Sequence, residues 1–371
     1  MAWSGVLLKL FDVGAKWAAI AVLLNGFAGT PLTTGILLAG GVSLVYITVG
    51  GLWADIWTDF AQFIVQIVAG GAMFVIVLEK FGGFSAVFTI WDQLPESNGR
   101  LFNTPYTPGF ALAFLFINFL SYNGGTWNLA TRYISSSSGS EARKAALLSG
   151  ILYAVWPLIL FFPMWAAPLL LPDLEDPTRS YALLTQKLLP PGMVGLVLAS
   201  MFANTMSMTS SDSNTISSVI TRDILPNLSK KFRNLKQKQS LQLARWSTFG
   251  FTVLTLIVAI NADSFGGVLG LLISWFAAIV GPISVPMILG LLPAFRYCDA
   301  KTAIISITGG LAAFIISKYL TDSTQLIEIA SPLVISFVLY TFFGWLNRQK
   351  EIPDEVNQLL DNLKTDTEEN R

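Results

Sequence analysis

The chain contains no histidine and a single cysteine, Cys298, in 371 residues. One cysteine excludes an internal disulfide, and the missing imidazoles exclude His/Cys metal sites and any catalytic arrangement that runs on histidine. Charge is scarce as well, at 12% of residues against 53% hydrophobic, with a mean hydropathy of +0.60. A soluble domain is about a quarter charged, so this composition is that of an integral membrane protein. Cys298 lies beside Arg296 and Asp299 in a short loop. An inert thiol is expected there, with palmitoylation as the alternative.

What is present is a succession of apolar segments with short gaps, which reads as one membrane domain although the length would allow two soluble ones. About ten transmembrane helices of spanning length are expected. They cover 3–27, 31–49, 54–79, 109–134, 142–171, a helix opening at Pro190, 243–261, 265–292, 302–320 and 327–346. The polar loop 80–108 is expected to hold an interfacial helix around 84–94, and the charged tail a short amphipathic helix near 356–363. Basic residues alternate between loops. Arg132, Arg143 and Lys144 sit in one, Arg222, Lys230, Lys231, Arg233, Lys236, Lys238 and Arg245 in another, and Arg296 and Lys301 in a third. The loops between them are poorer in basic residues, and 173–176 is acidic. The positive-inside rule then predicts a multi-pass protein of the cell membrane with a cytoplasmic C-terminus. The basic run at 230–245 also fits a lipid or nucleic-acid patch, but topology accounts for it more simply, so no nucleic-acid partner is expected.

Three stretches carry polar chemistry at membrane depth. The helix from Pro190 to Leu225 begins as a plain apolar run, then places Asn204, Ser207, Ser211, Asn214 and Ser218 on one face. Ser210 and Ser217 widen that stripe, while Thr205, Thr209 and Asp212 form a second. Single serines of this kind commonly join helices. A whole cluster with an amide at each end points to a lined cavity for a small hard cation, since hydrocarbon offers polar groups no partner. The second stretch puts Asp59, Gln62 and Gln66 on one face, where Asp59 is either a cation ligand or a carboxylate at a helix end. The third interrupts the 109–134 segment at Gly124-Gly125, flanked by Tyr122, Asn123, Thr126, Trp127 and Asn128. Unwound backbone at that depth lines a cavity or is buried, and broken helices hold substrate in many secondary transporters. The glycine pair alternatively marks close helix packing.

Two of these stretches resemble the sodium:solute symporter family. One is GG-L-x-A-x-x-x-T-D-x-x-Q, carried here by Gly50, Gly51, Leu52, Ala54, Thr58, Asp59 and Gln62. The other is LPPG-x-x-GL, at Leu189, Pro190, Pro191, Gly192, Gly195 and Leu196, followed by Met206, Ser207, Asn214, Asp223 and Ile224. Between them, Arg132 followed by Ser140, Glu141 and Ala142 matches the family's pattern after its interrupted helix. The resemblance implies an all-α polytopic membrane protein of LeuT type, two inverted five-helix repeats, and sodium-driven uptake of a small organic solute such as a sugar, polyol or amino acid. It implies a transporter domain over 1–347, with the second repeat from residue 109 onward, and a cytoplasmic tail over 348–371. It also implies a sodium site from Asp59, Ser207, Ser210 and Ser211, and, separately, a more widespread family sodium site to which the Ser207 hydroxyl and the backbone carbonyl of Asn204 correspond. Sodium is then transported cargo rather than a held cofactor. Tyr122, Asn123, Gly124, Gly125, Thr126 and Trp127 are the implied solute contacts. Met208 stands where the family's widespread sodium site has a second hydroxyl, and a thioether is a soft, weak ligand for a hard cation. Phe119 and Tyr153 replace the asparagine and lysine by which some sugar carriers hold sugar.

Family members carry further helices before the segment that opens this chain. The chain is therefore expected to lack the first helices of its first repeat, to be inactive in coupled transport as given, and to need those helices as a separate or upstream-encoded partner alongside membrane lipid, sodium and solute. The rival function is a sensor or scaffold that keeps the transporter fold and binds a ligand without moving it. An enzyme is not expected, because no nucleophile–base pair can be assembled without histidine.

Overall fold

A computed structural model describes residues 2–121, 136–349 and 352–358. Eleven principal helices among these residues are α1 (Ala2–Ala28), α2 (Leu32–Lys80), α3 (Pro108–Leu120), α4 (Gly139–Trp165), α5 (Ser180–Leu188), α6 (Pro191–Val219), α7 (Gln237–Ile260), α8 (Gly267–Trp275), α9 (Gly281–Leu289), α10 (Ala300–Ile315) and α11 (Gln325–Leu346). Strand pairing among the described residues is one isolated bridge, Asn103 with Tyr106. Seven described stretches are long and apolar enough to cross a membrane: Asp59–Lys80, Gly139–Leu170, Pro191–Leu228, Gln237–Ile260, Gly267–Leu289, Ala300–Leu320 and Gln325–Leu346. Two shorter apolar stretches, Leu32–Val45 and Pro108–Leu120, and the charged helix α1 occupy the other expected positions.

One expected boundary is absent. The segments 31–49 and 54–79 are joined in a single 49-residue helix, α2, with helical backbone through Gly50-Gly51. Glycine weakens a helix by entropy but leaves its hydrogen bonds in place, and the stretch has no proline to remove one. At 1.5 Å per residue α2 is about 74 Å long, more than twice the hydrocarbon thickness; of its two apolar halves Asp59–Lys80 is long enough to cross and Leu32–Val45 is shorter. Proline acts elsewhere. Pro226 and Pro282 follow the wide π-turns 220–224 and 276–280, which absorb the hydrogen bond each proline cannot make. Start signals are local and conventional: Thr107 accepts from Phe110 N ahead of α3, Ser138 from Glu141 N ahead of α4, and Asp299 from Thr302 N ahead of α10. The expected interfacial helix appears as the short turns Ala86–Thr89 and Ile90–Asp92, whose Val87 and Ile90 are buried. In the tail, residues 354–358 are helical.

The chain forms two compact units. In the first, residues 1–101 and 136–271, helices α1, α2, α6 and α7 each touch the other three. Small residues permit this: Gly14 of α1 lies against Val258 of α7, and Gly35 of α2 against Ala21 of α1. Trp17 of α1 is fully buried and donates to Thr255 Oγ1 of α7 at 3.1 Å. In the second unit, residues 102–135 and 272–371, α9, α10 and α11 pack together and α3 lies against α9 and α11. Ser306 Oγ of α10 donates to the Ser336 carbonyl of α11, and Ser336 Oγ donates to the Pro282 carbonyl of α9. Those bonds tie the three helices at one level.

Candidate functional site

Helix α6 presents its hydroxyls in two ways. Ser217 Oγ donates to the Ala244 carbonyl of α7 at 2.7 Å, the helix-joining role. Most others turn back on their own helix: Thr205 to Met201 O, Thr209 to Thr205 O and Thr215 to Ser211 O. Ser210 Oγ, which is buried, does the same to Ser207 O at 3.1 Å. A hydroxyl that spends its proton on the backbone keeps its lone pairs for another partner. Such oxygens suit a cation. Asn204, Ser207 and Ser211 are half-buried.

Asp59 of α2 is half-buried, and its Oδ1 is shielded from solvent with no hydrogen-bond partner among the described residues; Gln62 Oε1, one turn on, is in the same condition. Buried acceptors left unpaired cost free energy, and an ionised carboxylate most of all, so such an oxygen calls for a donor or a cation. The α2 end at Met73, Val77 and Leu78 shares one apolar cluster with Leu184, Leu189, Met193 and Val197 at the start of α6. The two helices therefore run antiparallel. Asp59 lies ten residues, about 15 Å, before Ala69. An equal step along α6 from Met201, which packs against the same cluster, reaches Ser211. Among the described residues no group of three or more Asp, Glu, Cys or His gathers. A cation here would meet a carboxylate and hydroxyls.

A second polar set was not picked out from the sequence. Lys9 Nζ lies 2.6 Å from Asp12 Oδ2 and 2.8 Å from Asp212 Oδ1, and Lys16 Nζ lies 3.0 Å from Asp12 Oδ2 and 2.8 Å from Asp212 Oδ2. The signal was available in part, since Lys9, Asp12 and Lys16 at i, i+3 and i+7 share one face of an otherwise apolar helix. Asp212 belongs to the second stripe of α6, with Thr205 and Thr209.

Tyr122, Asn123, Gly124, Gly125, Thr126 and Trp127 lie outside the described residues, as does Arg132. Of the positions where this sequence departs from the family pattern, Met208 is 46% exposed, Phe119 61% and Tyr153 66%. None of the three sits in the described interior.

Comparison with known proteins follows the same lines. A sequence model of the sodium:solute symporter family matches residues 3–298. The chain is 27% identical to the sodium/sialic acid symporter of Proteus mirabilis over 340 residues, covering 84% of this chain and 66% of that one. It is 27% identical to the sodium-dependent multivitamin transporter of Oryctolagus cuniculus, covering 81% of this chain and 48% of that one. The chain thus spans about half to two thirds of these relatives. A solved structure of a Na+-coupled sialic acid symporter, in a substrate-bound outward-open state, superposes with a TM-score of 0.75 at 21% identity, over 93% of this chain and 73% of that one. The all-α, LeuT-type fold implied by the sequence is therefore the fold observed.

Proposed function

Because the chain belongs to the sodium:solute symporter family, we propose that it serves sodium-coupled symport of a small organic solute across the membrane. It is a carrier rather than an enzyme, as its relatives are. One observation supports the ion assignment: the Oδ1 of Asp59 is buried with no partner among the described residues, on a helix that packs against the one carrying Ser207, Ser210 and Ser211. Sodium entering there exchanges water oxygens for one carboxylate and three hydroxyl oxygens. The carboxylate supplies the charge that repays desolvation, and oxygens suit a hard cation.

The solute is assigned to Tyr122, Asn123, Gly124, Gly125, Thr126 and Trp127, where main-chain groups freed by a broken helix would bind polar substituents. The relatives are named for sialic acid and for vitamins, which are organic molecules. The absence of charged side chains close to Gly124-Gly125 favours a neutral or zwitterionic solute. The basic run of Lys230, Lys231, Arg233, Lys236 and Lys238 supports a cytoplasmic 229–237 loop and C-terminus.

The test is a sodium titration of the chain in lipid nanodiscs, read as a sodium-dependent rise in thermal midpoint. Saturable stabilisation by sodium, matched by neither potassium nor choline, is expected and should disappear in Asp59→Asn. An unchanged response in that variant would remove Asp59 from the ion site; as a residue inside the continuous helix α2 it is not a helix-end charge.

A further inference from the structure

Four ionised groups meet where α1 faces α6. Each of Lys9 and Lys16 bonds both Asp12 and Asp212, so the set closes into a ring of two cations and two anions with no net charge. The N···O distances run from 2.6 to 3.0 Å and every side chain is at most 17% exposed. Desolvating four charges is costly, and apolar side chains of equal volume often stabilise a fold better. Ionisable groups at membrane depth are therefore most often kept for a purpose. The sodium assignment uses none of these four.

Asp212 directly follows Ser210 and Ser211. Successive residues on a helix turn by about 100°, so whatever fixes the direction of Asp212 also fixes theirs. The two lysines stand seven residues apart on α1, about 10 Å along its axis. Lys9 takes Oδ1 of Asp212 and Lys16 takes Oδ2. The carboxylate is gripped at both oxygens from two levels, which sets the rotation and the axial position of α6 against α1. Helix α1 is itself held, through the buried Trp17 bond to Thr255 and the contact of Gly14 with Val258.

We propose that Asp212 is a positioning residue for the cation site: through the ring it holds α6 in the phase that turns Ser207, Ser210 and Ser211 toward Asp59. This rests on the sodium assignment above and adds the element that sets its affinity. A cage of hydroxyls tolerates displacements of only about 0.5 Å before ligand geometry is lost. Because the ring is neutral, its effect is geometric rather than a field on the ion.

Sodium half-saturation of the nanodisc-embedded chain, by thermal midpoint and by radiolabelled sodium binding, tests this in a double-mutant cycle. Asp212→Asn should raise half-saturation roughly tenfold or more. Asp212→Asn with Lys16→Gln removes one charge of each sign. It should recover the sodium-free thermal midpoint while keeping the raised half-saturation, a split that a merely structural role would not give. The swap Asp212→Lys with Lys16→Asp restores ion pairs across the helices and should return half-saturation to within about threefold of the parent chain. Parent-like half-saturation in Asp212→Asn overturns the proposal. So does full recovery in the neutral pair, which would show that only net charge matters. If the parent chain shows no saturable sodium response, or Asp59→Asn leaves that response intact, the sodium assignment fails first and this inference falls with it.

Discussion

At the residue scale, the serines of α6 matter less for their number than for where their protons go. Ser210 donates to its own helix, whereas Ser217 is committed to α7. A ligand oxygen on a charged partner is worth about 1.5–3 kcal/mol. Ser210→Ala should therefore raise sodium half-saturation by roughly ten- to a hundredfold. Met208→Ala should leave it within about twofold, because an exposed thioether offers no hard oxygen. Sodium titrations of both variants check this pair. Cys298, between α9 and α10, makes a different prediction. Burial raises its thiol above the usual range, opposed by a hydrogen bond with the Tyr340 side chain and reinforced by the nearby Asp299 carboxylate; the Sγ also donates to the Tyr340 carbonyl at 3.7 Å. The thiolate is the reactive form, so a raised value means less of it at any given pH. Maleimide labelling of the folded chain should be slow at neutral pH and accelerate only above the ordinary thiol range, whereas the unfolded chain should label rapidly.

At the element scale, close approach between helices is bought with glycine, and the neighbours decide how strictly. A Cβ on Gly310 of α10 would lie 2.7 Å from Pro282 Cγ and 2.9 Å from the Pro332 carbonyl oxygen. Neither a proline ring nor a main-chain carbonyl can swing aside, so Gly310→Ala should destabilise the chain by about 1–3 kcal/mol. Gly150 of α4 has nothing within 4 Å of its Cβ direction. Gly150→Ala should be neutral or slightly stabilising, and denaturation of the two variants in one detergent gives the comparison. The length of α2 belongs at this scale too. A glycine pair reads as a break in the sequence, but without proline the hydrogen-bond ladder runs on.

For the whole molecule, orientation is the property with the widest consequences, since it sets which side Asp59 is reached from. In a Cys298→Ser background, cysteines placed at Ser229 or Gln237 should be shielded from an impermeant thiol reagent in intact cells, and one placed at Asn98 should react. The reverse pattern would overturn the cytoplasmic assignment of the 229–237 loop. The sequence by itself determined that this is a membrane protein, where most of its helices lie, and which of their faces are polar. Those properties follow from apolar runs and helical periodicity, which are local and additive along the chain. It also carried the family, through motifs around Asp59 and Leu189 that a single segment can display. Only the tertiary structure decided what each polar group meets. The stripe of α6 looked like two rows of interchangeable hydroxyls, yet one member joins α7, several bond their own turn, and Asp212 is held by lysines roughly two hundred residues away. The three charges of α1 were legible as a face but not as a ring, because their fourth member comes from another helix. Likewise, the buried oxygen of Asp59, without a partner among the described residues, becomes visible only once the helices are assembled. Pairings of this kind depend on helix phase and helix order in space, which no local pattern specifies.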